Sequence, residues 1–137
     1  MPTSKNLVSI LLAALAAFVV SAVWYTLFSE LWLQLRGLDP AASADQSLPV
    51  GTMLLELSRS LLLASVLAWF VSKLNITDWQ NALKLTLLIW VGFPFVLLAG
   101  SVIHENVHWK IAAIHAGDWF VKPLVMLLIL SFRNRKK

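Results

Sequence analysis

Two groups of ionisable residues stand inside segments that are apolar enough to cross a lipid bilayer. One group is Glu56 and Arg59, three residues apart, and the other is His115, Asp118 and Lys122, spaced by three and four residues. Residues at these spacings share one face of a helix, so Glu56 can pair with Arg59, and Asp118 with Lys122. Charge inside a bilayer is costly and commonly marks a cavity, a contact or a pathway.

Three interpretations of this cluster stay open. The five side chains could line a water-filled outer cavity that binds a small polar molecule or passes protons, with His115 titrating near neutral pH. They could instead form two ion pairs within helices that hold the protein together, or they could face a partner subunit. The helical rise places all five in one half of the membrane, with Lys122 near the midplane.

A further segment has the spacing of a metal site. His104-Glu105-Asn106-Val107-His108 matches H-E-x-x-H, in which two histidines of one helix bind zinc and the glutamate acts as a base. His115 could add a third ligand. The segment lies at the end of an apolar stretch, where a continuous helix is not assured, and no soluble domain is evident to hold a peptide. We therefore expect neither a cofactor nor catalytic residues, with zinc at His104 and His108 as the alternative.

Four long apolar segments position these residues. Of 137 residues, 59% are hydrophobic and 13% are charged, which is more apolar surface than a soluble domain of this size can cover. A helix needs about 20 apolar residues to cross the hydrocarbon core. The sequence therefore predicts an all-α chain that forms one membrane domain, a four-helix transmembrane bundle with spans at about 7–28, 51–74, 79–103 and 111–132.

The spans carry further signals of packing and of breaks. Phe28, Leu31, Trp32 and Leu35 recur at helical spacing and predict a short amphipathic extension of the first helix, before an outer loop at 37–50. Proline within a helix removes a donor, so the backbone should loosen near Pro94 and Pro123. Small residues that let helices approach predict packing faces on three spans: Ala13, Ala17 and Ser21; Ser60, Ala64 and Ala68; Gly92 and Gly100.

The distribution of positive charge predicts the orientation. Lysine and arginine favour the cytoplasmic side of short loops. Six of them fall on the side of both termini, including a basic tail at 133–137, whereas Arg36 and Lys110 fall on the other side. We expect both termini in the cytoplasm, the tail against anionic headgroups, and no nucleic-acid binding, because no folded basic surface remains.

The order and spacing of several residues carry a family resemblance. They are Trp24-Tyr25, Phe28, Trp32, Gly37, Trp90-Val91-Gly92-Phe93, Glu105, Trp109-Lys110, Ile114, Ala116-Gly117, Trp119 and Met126. The chain resembles the small bacterial membrane proteins known as domain of unknown function 1761, which implies four helices and no assigned activity. The family usually has asparagine at the position of His115 and an aromatic residue at that of Asp118. Its members also lack the two histidines that flank Glu105, which weakens the zinc alternative. The aromatic residue usual at the position of Asp118 implies that the Asp118–Lys122 pair is particular to this protein.

Three functions are consistent with these features. The first is a small, non-catalytic scaffold or accessory subunit of the bacterial inner membrane, whose partners are the lipid bilayer and either itself or a larger membrane complex. The second is a transporter- or channel-like protein that uses the polar outer cavity. The third is a zinc-dependent membrane enzyme at His104 and His108.

Overall fold

Every described element of the computed structural model, which describes residues 4–43 and 49–135, is helical. In chain order the elements are α1 (Ser4–Leu27), α2 (Ser29–Leu35), α3 (Pro40–Ser43), α4 (Val50–Lys73), α5 (Trp79–Trp90), the π segment (Val91–Phe95), α6 (Val96–His104) and α7 (Trp109–Asn134). The π segment interrupts the third long helix between α5 and α6.

Within the described residues, four helices are long and apolar enough to cross a membrane, which confirms the predicted all-α fold with four spans. They cover Asn6–Leu27, Val50–Lys73, Trp79–His104 and Trp109–Asn134. Each boundary lies within two residues of the one expected from the sequence. The short helix α3 occupies part of the expected outer loop, while residues 44–48 of that loop and residues 136–137 of the basic tail lie outside the described residues.

The fourth span is the centre of the arrangement. The α7 helix packs against α1, α4, α5 and α6, and α1 also packs along α4. The third span, from α5 to α6, lies against α7 and makes no extensive contact with α1 or α4. The fold is therefore a three-helix core with one peripheral span, and not a bundle in which all four helices share the interior equally.

Small residues allow the three core helices to approach closely. Ala13 and Ala17 of α1 and Ala64 of α4 are fully buried, as the small-residue spacing predicts. The glycine face of the third span does not pack within the chain, because a Cβ placed on Gly92 or Gly100 would meet no atom within 4 Å. The third span uses a different face, and its buried side chains in α5 are those of Ala82 and Thr86.

Hydrogen bonds join the first turns of α1, the α4–α5 turn and the last turns of α7 at one end of the bundle, here called the terminal end. Arg133 Nε donates to Ser9 Oγ over 2.7 Å, and Arg135 Nε donates to the Thr77 carbonyl over 2.9 Å. Asp78 caps α5 by accepting hydrogen bonds from the backbone and side-chain nitrogens of Asn81, and these bonds lower the pKa of its carboxyl group.

The opposite end, here called the α2 end, holds α2 and the turn between α6 and α7. The α2 helix is the predicted amphipathic extension, separated from α1 at Phe28, whose carbonyl still accepts from the Trp32 N–H. Leu31 is exposed, whereas Trp32 turns towards the body of the protein. In the turn, Asn106 adopts a φ of 56°, a conformation that asparagine tolerates better than most residues.

The two prolines act differently on their helices. Pro94 cannot donate to the carbonyl of Trp90, and the chain accommodates the missing bond as the π segment. Pro123 is buried in α7, which continues as an α-helix through it. The helix therefore loosens at Pro94, where it becomes π-helical, whereas at Pro123 it stays α-helical.

Candidate functional site

Asp118 and Lys122 form an ion pair deep inside the protein. They lie one turn apart on α7, with relative exposures of 3% and 7%. Lys122 Nζ lies 3.6 Å from Asp118 Oδ2, and Ser21 Oγ of α1 donates a hydrogen bond of 2.5 Å to Asp118 Oδ1. Each carboxylate oxygen thus has a partner, one on the same helix and one across the α1–α7 interface. A buried charge requires such pairing.

His115 belongs to the same α7 surface but has a different partner. Its Nδ1 lies 2.7 Å from the hydroxyl of Tyr25, and which atom carries the proton depends on the tautomer. Tyr25 follows Ser21 by one turn of α1, so the two α1 side chains meet the two α7 side chains in register. We call Ser21, Tyr25, His115, Asp118 and Lys122 the polar network.

Two tryptophans hold α7 beside the polar network. Trp24 Nε1 donates to the Ile114 carbonyl over 2.9 Å, and Trp90 Nε1 donates to the Ala116 carbonyl over 2.8 Å. The Trp24 ring covers Gly117, where a Cβ would lie only 2.2 Å from Trp24 Cζ2. These contacts tie α1 and the third span to neighbouring residues of α7, and so set the position of Asp118.

The second predicted ion pair forms at the surface. Arg59 Nη1 and Glu56 Oε1 lie 2.5 Å apart on α4, with side-chain exposures of 56% and 38%. Neither residue shares a described hydrogen bond or ion pair with the polar network. The five candidate residues are thus split between a buried network and a surface pair, both nearer the α2 end than the terminal end.

An apolar layer lies on the terminal side of Lys122. Met126 and Leu127 of α7 are fully buried, and Leu130 is nearly so. They pack in one cluster with buried residues of α1, α4, the α4–α5 turn and α5: Ala13, Ala14, Ala17, Ala64, Leu67, Val71, Ile76 and Ala82. Among the described residues, the polar side chains of the network end at Lys122 and are followed by this packed layer.

The H-E-x-x-H segment does not lie on one helix. The α6 helix ends at His104, Glu105 follows in the turn, and His108 precedes α7 as its N-cap. His108 Nδ1 accepts a hydrogen bond from the Lys110 N–H over 3.2 Å, which occupies one of its two ring nitrogens. The helical spacing on which the motif depends is therefore absent. In the parts of the chain that the structure describes, no three His, Cys, Asp or Glu side chains are grouped to hold a metal.

A groove lies beside the polar network at the α2 end. It has a volume of about 510 Å³ and runs between α2, α6, α7 and the α6–α7 turn. His115 forms part of its wall and connects it to Tyr25. Its polar lining also includes Arg36, Glu105 and His108, and its apolar lining includes Trp32, Leu35, Leu98, Val107 and Ile111. We call it the α2 groove.

A family described as proteins of unknown function, DUF1761, matches the chain over residues 8–131. The chain belongs to the DUF1761 family. The matched range includes the polar network, the α2 groove, the second and third spans and most of the first and fourth. No curated protein and no solved structure matches the chain.

Residues that carry the DUF1761 resemblance support the site from several sides. Trp24 and Trp90 are the two indole donors to α7, and Gly117 accommodates the Trp24 ring. Tyr25 contacts His115, and Trp32 lines the α2 groove. The resemblance therefore includes the scaffold around the network.

Two members of the polar network are not predicted as site residues from the sequence. The spacing of small residues places Ser21 on a packing face, and Tyr25 is one of the residues that carry the family resemblance. The signal that could have found them is their four-residue spacing on a span without any charge, which places two hydroxyl groups on one face. That face needs a polar partner, and α7 supplies one.

Proposed function

We propose that this DUF1761 protein is a multi-pass protein of the bacterial inner membrane that acts as a non-catalytic scaffold or accessory subunit. Its partners would be the surrounding lipid and either further copies of itself or a larger membrane complex. The observation that carries the proposal is the open face of the third span, which packs on α7 alone among the long helices.

The third span exposes apolar side chains over most of its length. Leu88, Phe93 and Leu97 are 72%, 65% and 72% exposed. Lipid alone can cover such side chains, but it gives no role to Gly92 and Gly100, where an added Cβ would meet no atom within 4 Å. Glycine costs a helix about 1 kcal/mol relative to alanine. On an exposed face it lets a second helix approach closely, which is how membrane helices associate.

The polar network supports a structural role within such a subunit. Both oxygens of Asp118 are partnered, and the packed apolar layer follows Lys122. A transporter- or channel-like protein would need polar side chains or water through that layer. A zinc enzyme would need the helical spacing that His104 and His108 lack. We therefore propose that the network joins α1 to α7 and fixes the shape that the third span presents.

The proposed orientation rests on where the fold gathers positive charge. Lys73, Arg133 and Arg135 lie at the terminal end, whereas Arg36 and Lys110 lie at the α2 end. In the sequence, Lys5 belongs to the first turn of α1, and Lys136 and Lys137 follow Arg135. By the excess of lysine and arginine on the cytoplasmic side, the terminal end would face the cytoplasm.

The proposal can be tested by enlarging the open face without touching the core. Gly92→Leu adds a side chain where the chain itself leaves open space, so the fold of the subunit should be unchanged. We expect native mass spectrometry of protein extracted in native lipid particles to show a stoichiometric complex for the parent. Gly92→Leu should reduce that complex at least tenfold.

The matched control is Ala22→Leu, which enlarges a small exposed residue of α1 on a different side of the protein. It should leave the complex intact. A parent protein that is monomeric in native lipid particles, or a Gly92→Leu complex as abundant as the parent complex, would refute the proposal.

A further inference from the structure

The α2 groove brings together opposite charges that do not neutralise each other. Arg36 and Glu105 both line it, and within residues 4–43 and 49–135 neither forms an ion pair. Both are exposed, so each can meet a ligand without moving away from a partner. A site that offered only a cation would favour anions, and one that offered only a carboxylate would favour cations. A groove that offers both favours a molecule that carries both charges.

Arg36 is the hydrogen-bond donor on one side of the groove. Its guanidinium lies over the Trp32 ring, 4.7 Å from the ring centroid. The Trp32 Nε1 atom is buried, so this side of the groove presents the indole ring and the guanidinium but not the indole N–H. A guanidinium binds oxyanions through paired N–H groups, so an oxyanion fits here.

The surroundings of the groove are amphipathic. Leu35, Leu98 and Ile111 provide apolar lining next to the charged groups. The groove lies where the amphipathic α2 helix meets the outer end of the spans, the position of a lipid headgroup in a bilayer. A second groove of about 190 Å³, with mostly apolar lining, borders the same Leu98.

We infer that the α2 groove binds a small zwitterion that joins an oxyanion to an ammonium group. Its oxyanion contacts the Arg36 guanidinium, and its ammonium group contacts Glu105. A phosphoethanolamine group has this chemistry, both as a phospholipid headgroup and as a free compound. The site is separate from the open face of the third span, so this inference can be tested independently of the proposed complex.

Charge-neutralising variants test the two halves of the site separately. The full chain in detergent is mixed with phosphatidylethanolamine and phosphatidylglycerol of identical acyl chains, and retained lipid is counted by native mass spectrometry. The parent should retain the ethanolamine lipid about tenfold better. Glu105→Gln should bring the two lipids close to parity, and Arg36→Gln should weaken both about tenfold. Glu30→Gln and Lys110→Gln, exposed residues outside the groove lining, are the matched controls.

A second arm distinguishes the lipid from a free compound. O-Phosphoethanolamine is titrated into the protein while the indole N–H resonance of Trp32 is followed, the resonance being the one that Trp32→Phe removes. A saturable shift with the free compound, without lipid retention, would assign the site to a soluble zwitterion, and lipid retention would assign it to the headgroup. The inference is overturned when neither compound binds, or when Glu105→Gln leaves the lipid preference unchanged.

Discussion

The contact between Gly117 and Trp24 makes the sharpest prediction about stability. The ring of Trp24 lies against the α7 backbone, and a Cβ at Gly117 would come within 2.2 Å of Cζ2 and 2.8 Å of Cη2. Non-bonded carbon atoms pack at about 3.5 to 4.0 Å. Gly117→Ala must therefore move the ring by roughly 1 Å or more, or push α1 and α7 apart.

The expected cost follows from two losses and one gain. Overpacking of a tight interior costs about 1–3 kcal/mol. The Trp24 ring is fixed by its hydrogen bond to the Ile114 carbonyl, and its retreat would lose about 0.5–1.5 kcal/mol. Alanine returns about 1 kcal/mol through its better helix propensity. We expect Gly117→Ala to lower the free energy of unfolding by about 2 kcal/mol.

Gly100→Ala is the matched control, because the same substitution in α6 meets no atom within 4 Å. It should be neutral or stabilise the protein by up to about 1 kcal/mol. The free energy of unfolding is measured for both variants in mixed micelles by titration with sodium dodecyl sulfate, followed by circular dichroism. The two alanine variants should differ by about 2–3 kcal/mol.

A double-mutant cycle identifies the cause. In a Trp24→Leu background the ring is gone, so Gly117→Ala should lose most of its effect. Equal unfolding free energies for Gly117→Ala and Gly100→Ala would refute the reasoning. So would a penalty at Gly117 that persists after Trp24 is replaced.

Three further predictions concern the ion pair, the metal and the topology. Lys122→Met should destabilise the protein by about 3–5 kcal/mol, because it leaves the Asp118 carboxylate buried without its cation. The double variant Asp118→Leu/Lys122→Met should recover most of that loss. A double variant as unstable as Lys122→Met would contradict this prediction. Purified protein should contain no stoichiometric zinc by mass spectrometry of the elements, whereas zinc that is present and lost in His108→Ala would establish the metal site. The chain has no cysteine, so a single introduced cysteine can be labelled without background. In the proposed orientation, a cysteine at Leu38 should react with an impermeant maleimide in spheroplasts, and a cysteine at Thr77 should react only after lysis. The reverse pattern would contradict the proposed orientation.

Local patterns account for the parts of the fold that were predicted. Each span is recognised by its own length and hydropathy, and these depend on no other segment. The Asp118–Lys122 and Glu56–Arg59 pairs also follow from spacing within one helix. The amphipathic α2 was predictable for the same reason, because its apolar residues recur with the period of a helix.

Contacts between distant segments account for the features of the structure that the sequence does not predict. Ser21 is 97 residues from Asp118, and Tyr25 is 90 residues from His115. No periodicity within either helix states that these faces meet. Gly92 and Gly100 have the spacing of a packing face, yet the third span turns them away from the chain. The spacing of His104 and His108 indicates a zinc motif, but α6 ends between them.

The number of helices that are long and apolar enough to span a membrane, and the charges that can pair along one helix, are predictable from the sequence, because the hydrophobic effect and the helical period act on neighbouring residues. The packing of the helices is needed to show that α7 is the central helix and that α1 supplies hydroxyl groups to its charges. The same packing leaves an open face on the third span and brings Arg36 and Glu105 into one groove. These outcomes depend on which helix faces approach most closely, and small residues and two indole hydrogen bonds determine that approach across about 90 and 26 residues of chain.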